Sequence, residues 1–223
     1  MILRTNNSYM TKAIFLGIII SLFTFNNASA DSPLTSTDFY KAYKKLAIIE
    51  LAGTSKGFLN DKLISYLADT NNPIDVKAAL INRLGWNIKG KSNGKIFIKF
   101  LKAKYKYKNE EALKNGLSAS DLICIAYLKA MDNYFDIKEA LVYATLALEK
   151  DPKSYTISII QSLIASQAFV MKNYCQVFKI VDKTRANQNL TIDFKKEASE
   201  IIFKYIDGYK KYCKIEDLRT IIK

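Results

Sequence analysis

The sequence predicts an all-α fold, built of stacked antiparallel helical hairpins that follow a cleaved signal peptide. Three observations carry that prediction. Residues 117–207 contain no Gly and a single Pro, Pro152. All-β chains place turn residues roughly every 8 to 12 positions, so so long a stretch with one strong breaker reads as helix. Apolar residues recur at three- and four-residue spacing along most of the remaining chain. The first thirty residues have the make-up of an export signal rather than of a folded element.

The leader comes first. Residues 1–12 carry Arg4 and Lys12 and no acid, and residues 13–25 carry no charge. Ala28-Ser29-Ala30 then offers an A-x-A cleavage site. The uncharged run would span about 20 Å as helix, where a membrane span needs about 20 residues, so no transmembrane span is expected in the mature chain. An uncleaved anchor is the alternative reading. Cleavage after Ala30 makes the mature protein periplasmic or secreted. No Cys follows the apolar run closely, which excludes acylation at a mature N-terminal Cys.

In an N-terminal region, 31–116, Ser36-Thr37-Asp38 opens a helix with Phe39, Tyr43, Leu46 and Ile49 on one face, stopping near Gly53. Residues 58–69 form a second, with Leu59, Leu63, Tyr66 and Leu67. Asn72-Pro73 starts a third, Asn as cap and Pro at the first helical position, and Gly85 ends it. Residues 85–94 hold three Gly and an Asn-Gly pair and predict a loop or a small hairpin. A basic helix follows.

In region 117–223, Ser118-x-x-Asp121 approximates a capping box and opens a helix carrying Leu122, Ile125, Ala126 and Met131. The next helix covers 137–150 and is ended by Asp151-Pro152. Residues 155–171 are long and apolar, which predicts central burial. Segments 174–184 and 192–212 complete the hairpins, with a short tail helix over 215–222.

Within this region, Phe135-Asp136-Ile137-Lys138-Glu139-Ala140-Leu141, Tyr143-Ala144 and Ala147-Leu148-Glu149-Lys150-Asp151-Pro152 stand in a recognisable order. Ala140 and Ala147 let paired helices approach closely, and Pro152 turns the chain into the next pair. Residues 121–153 thereby resemble a tetratricopeptide repeat. A degenerate copy lies 37 residues on, where Val177 and Thr184 replace the two Ala and Asn189 replaces Pro. The resemblance implies a scaffold that binds protein or peptide on a concave face, not an enzyme. The alternative is an irregular α-bundle in which packing alone favours Ala.

Composition narrows the chemistry. Among 223 residues there is no His, which excludes Ser-His and Cys-His nucleophile pairs and His-ligated zinc or haem. Three Cys cannot build a four-cysteine zinc site. No cofactor, metal or catalytic residue is called for. Lys and Arg total 34 against 21 acids, a charge of +13 that becomes +11 once Arg4 and Lys12 leave with the leader. Such a balance favours anionic partners, although a Lys-rich surface also follows from AT-rich coding without any partner.

The positive charge is concentrated. From Arg83 to Lys108 there are nine basic residues and no acid, interleaved with Trp86, Phe97, Phe100, Tyr105 and Tyr107. Lys95, Lys99, Lys102 and Lys106 sit at i, i+4, i+7 and i+11 and predict one helix stripe, with Ile96, Phe100, Ala103 and Tyr107 on another beside Phe97 and Leu101. Arg83, Lys91, Lys95, Lys99, Lys102 and Lys106 are the candidate partner-binding residues. Three readings stand: a solvated face, a docking surface for an acidic protein, or a contact with polyanionic polymer or headgroups. Nucleic acid is the weakest partner class, given export and no RNA-binding motif.

Of the cysteines, Cys124 reads as a small buried hydrophobe. Cys175 and Cys213 are the candidate disulfide. Continuous helices on either side of a turn near Asn189 would leave their positions offset by about 15 Å, which the loop or a crossing angle would have to absorb. Glu50, Glu139 and Glu200 are the carboxylates a wall-degrading enzyme would need, but nothing around them resembles a glycosidase motif. The expected function is an exported, non-enzymatic binding or adaptor protein, in one version a periplasmic immunity protein engaging an acidic effector. A carboxylate-dependent cell-wall enzyme or peptidoglycan-binding factor is the alternative.

Overall fold

Six helices begin on a side chain that accepts the backbone N–H three residues ahead: Ser32, Asn60, Asn109, Ser118, Ser154 and Asn173. Each such cap satisfies a donor the helix leaves orphaned and contributes about 1 kcal/mol relative to Ala. The structure is a computed structural model and describes residues 32–214. The signal peptide expected over 1–30 and the tail helix expected over 215–222 lie outside the described residues.

The fold is all-α. The order is α1 (Pro33–Ser36), a 3₁₀ segment (Phe39–Tyr43), α2 (Ala47–Thr54), α3 (Asp61–Ala68), α4 (Ile74–Leu84), α5 (Asn93–Tyr105), α6 (Glu110–Gly116) and α7 (Ala119–Asp132). There follow α8 (Lys138–Lys150), α9 (Tyr155–Ser166), a 3₁₀ turn (Gln167–Phe169), α10 (Tyr174–Ala186), α11 (Lys196–Ile206) and a closing 3₁₀ segment (Asp207–Tyr212). The described residues contain no β-strand. They form one compact unit.

α7 is the central helix. It packs against α8, α5, α9 and α4, and every residue from Asp121 to Leu128 is buried. Ala140, Ala144 and Ala147 are all but fully buried, and small side chains there let α8 lie close along α7. Because α4 and α5 also pack on α7, the core runs through the junction between residues 116 and 117.

Several helix limits differ from the sequence expectation, each for a tertiary reason. In place of the single helix expected from Ser36 to near Gly53 stand a 3₁₀ segment and α2, with α1 ending at Ser36. Here the Tyr40 amide donates to Asn82 Oδ1. Asn72 does not cap α4; its side-chain Nδ2 donates to the Tyr66 carbonyl, and Pro73 holds the cap position. The second helix starts at Asp61 rather than 58, because the Leu59 amide is taken by Asn93 Oδ1. α9 stops at Ser166, not 171. Ser162 and Ser166 fold back onto the Ile159 and Leu163 carbonyls, which weakens the last turns.

The helix expected from 192 begins instead at Lys196. Asp193 serves another element: it accepts the Thr156 amide and the Ser154 hydroxyl at the start of α9. α6 is a helix beyond those expected, and Asn109 followed by Glu110 and Glu111 is its local start signal. Cys175 and Cys213 are joined, with Cα atoms 4.8 Å apart. The expected offset disappears because residues 187–195 are not helical and the 3₁₀ segment carries Cys213 back onto α10.

Candidate interaction surface

The basic helix α5 turns one face inward. Phe97 and Leu101 are fully buried, and Asn93 and Gly94 are nearly so. Ile96 and Ala103 are exposed and Phe100 is half-buried, so the apolar stripe expected at 96, 100, 103 and 107 is not the packed one. The rotation follows from Gly94. A Cβ there would stand 2.6 Å from Lys129 Cγ, so only glycine allows α5 this close to α7. The Gly94 amide also donates to Asp132 Oδ2.

That orientation sorts the six basic candidates. Lys95 and Lys99 are exposed on α5 and Lys102 is half-buried beside them. Lys106 lies just past the helix as its C-cap, in a left-handed conformation (φ 57°). Lys91 is structural: its Nζ donates to the Leu84 and Gly85 carbonyls, both at 2.8 Å, closing the C-terminal end of α4. Burial pulls its pKa below the ordinary lysine value. Arg83 is exposed, on α4 rather than α5. Its guanidinium donates to Tyr40 Oη and lies 4.6 Å above that ring, against Gly53.

Where α5, α7 and α8 meet, a cleft of about 350 Å³ opens, lined by Lys95, Lys129, Asp132, Asp136, Lys138 and Glu139 among others. Lys129 and Glu139 pair across it at 2.7 Å. Asp132 is one of its lining residues and is only 7% exposed. Its Oδ2 takes the Gly94 amide, while its Oδ1 has no hydrogen-bond partner among the described residues. Burial raises its carboxyl pKa, against the Gly94 and Asn93 amides and the lysines nearby. Beside the cleft, Trp86 meets Tyr134 edge-on at 4.9 Å and Tyr134 lies 4.1 Å from Phe135. Sequence reasoning missed this turn, having treated Phe135 only as part of the repeat-like segment; an exposed apolar residue between polar neighbours was the available signal.

Elsewhere the chemistry is sparse. Glu50, Glu139 and Glu200 are all exposed. Cys124 is a free buried thiol, pushed up to about 12 by its burial. Lys77, 1% exposed, donates to Ser120 Oγ between α4 and α7. Among the described residues, no three His, Cys, Asp or Glu side chains gather as a metal site, and no helix is long and apolar enough to cross a membrane. No protein family matches the chain, and no curated protein or solved structure is significantly similar to it.

Proposed function

We propose that this is an exported, non-enzymatic helical binding protein that docks an acidic face of a partner protein on α5. The observation that carries the proposal is the placement of Lys95, Lys99 and Lys102. They share one side of a helix, and none of the ion pairs among the described residues includes them. Like charges at helix neighbours destabilise one another slightly, and an acidic partner removes that cost. The Cys175–Cys213 bond supports export, since disulfides persist in oxidising compartments. A periplasmic immunity or adaptor protein that caps an acidic effector is the specific version. The tetratricopeptide-like stretch at 121–153, the leader-like first thirty residues and the absence of His support it.

The test is charge reversal. Lys95→Glu, Lys99→Glu and Lys102→Glu together should abolish recovery of a protein partner from periplasmic extract while leaving helical circular dichroism unchanged. Wild-type affinity and salt dependence in that variant would reduce the face to a solvated one. Recovery of peptidoglycan fragments with no protein partner would instead favour a wall-binding factor.

A further inference from the structure

We propose that Trp86, Ile88 and Phe135, with the cleft beside them, form the anchoring site for an acidic polypeptide segment that carries one large apolar side chain. The inference rests on the docking role of α5 proposed above and names where that partner is gripped. Ile88 is 63% exposed and Phe135 72%. Single exposed apolar residues are ordinary, but here aromatic rings cluster across two loops, 85–92 and 133–137. Such aromatic groups dominate protein interfaces when a partner excludes water from them.

The knob is preorganised, so binding forfeits little conformational freedom. Lys91 ties its loop down twice, through Nζ to the Leu84 and Gly85 carbonyls and through its amide to the Asp132 carbonyl. The Phe135 amide donates to Asn133 Oδ1 in the facing turn. Phe135 lies in sequence between Asn133 and Asp136, both of which line the cleft.

The cleft specifies the chemistry of the occupant. Lys95 and Lys138 in its wall can meet carboxylates. The buried, unpartnered Oδ1 of Asp132 can accept a backbone N–H or another donor. Asp136 and Glu139 stand among the lysines, so the cleft suits a strand that mixes carboxylates with N–H donors better than a surface of one charge. A polypeptide offers carboxylates, N–H donors and an apolar side chain in one strand. About 350 Å³ accommodates a side chain and its flanking backbone.

Trp86 is the only tryptophan, so its fluorescence reports on this site directly. The full exported chain would be titrated with a short glutamate-rich peptide bearing one central leucine, with its leucine-to-serine counterpart, and with phosphatidylglycerol-containing vesicles. The leucine peptide should blue-shift Trp86 and bind about tenfold more tightly than the serine peptide. Ile88→Ser with Phe135→Ser should erase that preference and leave the weaker, salt-sensitive binding. The α5 charge reversal should weaken both peptides. If the double serine variant keeps the preference while charge reversal still weakens binding, the anchoring site is overturned and the basic-face reading stands. Preference for leucine with no effect of charge reversal would overturn the basic-face reading instead. No binding of either peptide overturns both, and a response to vesicles alone overturns the polypeptide occupant in favour of a membrane.

Discussion

The Gly94 amide donates to Asp132 Oδ2 at 2.7 Å, and this bond seats α5 against α7 beside the cleft. The approach depends on the missing side chain. A Cβ at Gly94 would lie 2.6 Å from Lys129 Cγ and 3.2 Å from the Lys129 amide nitrogen. Gly94→Ala is therefore expected to push the two helices apart and to cost about 1–3 kcal/mol, as overpacking does. Urea unfolding of the variant checks this; an unchanged midpoint would show that Lys129 moves aside freely.

Asp132 gives the protein a pH signature. Burial raises its folded pKa above the unfolded one, so in the window just above the ordinary carboxyl value the native state binds more protons than the unfolded state. The Asp132 contribution therefore falls as pH rises through that window, and ionised Asp132 lowers stability at neutral pH. Asp132→Asn should remove this slope. Denaturation curves of both proteins from pH 4 to 7, about the range where carboxyls titrate, compare the two directly. Parallel pH profiles would rule the assignment out.

The Cys175–Cys213 bond closes a loop between positions 38 apart. By the loop-entropy relation, reduction should lower stability by about 3–4 kcal/mol. Its loss should free the closing 3₁₀ segment, whose Tyr209 stacks on Tyr174 at 5.3 Å. Mass after alkylation of the unfolded, non-reduced chain should show a single label, on Cys124. Three labels would mean that the bond is not formed.

Tyr43 ties distant parts of the chain together. Its hydroxyl donates to Asp75 at the start of α4 and accepts the Lys195 amide at the start of α11. The ring is fully buried, and burial raises the phenol pKa strongly. Tyr43→Phe would remove both hydrogen bonds, at an expected cost of about 1–3 kcal/mol. Amide exchange should then quicken at the start of α11 more than in α7. Uniform quickening would show that the hydroxyl acts only on global stability.

The parts of the fold legible in sequence are those governed by interactions within one helical turn. The Ser118 cap, the stop at Gly85 and the Asp151-Pro152 ending are short-range signals, and each stands where the residues put it. Asn109, with Glu110 and Glu111 after it, is an equally local signal, for α6. The candidate surface was only half legible. Spacing alone brought Lys95, Lys99 and Lys102 together. It could not show that Lys91 spends its ammonium on the end of α4 or that Arg83 lies against Tyr40.

By itself, the sequence determined an all-α chain, most of its helix starts, the pairing candidates among its cysteines and a concentrated positive charge before residue 109. Those follow from periodicity and from hydrogen bonds that span three or four positions. The tertiary structure alone decided where helices break, which face of α5 is buried and which cations remain free. Those outcomes depend on partners far along the chain: Asn82 for the Tyr40 amide, Asp193 for α9, Asp132 for Gly94. A buried donor takes whichever acceptor the packed core brings to it, and no local pattern encodes that choice.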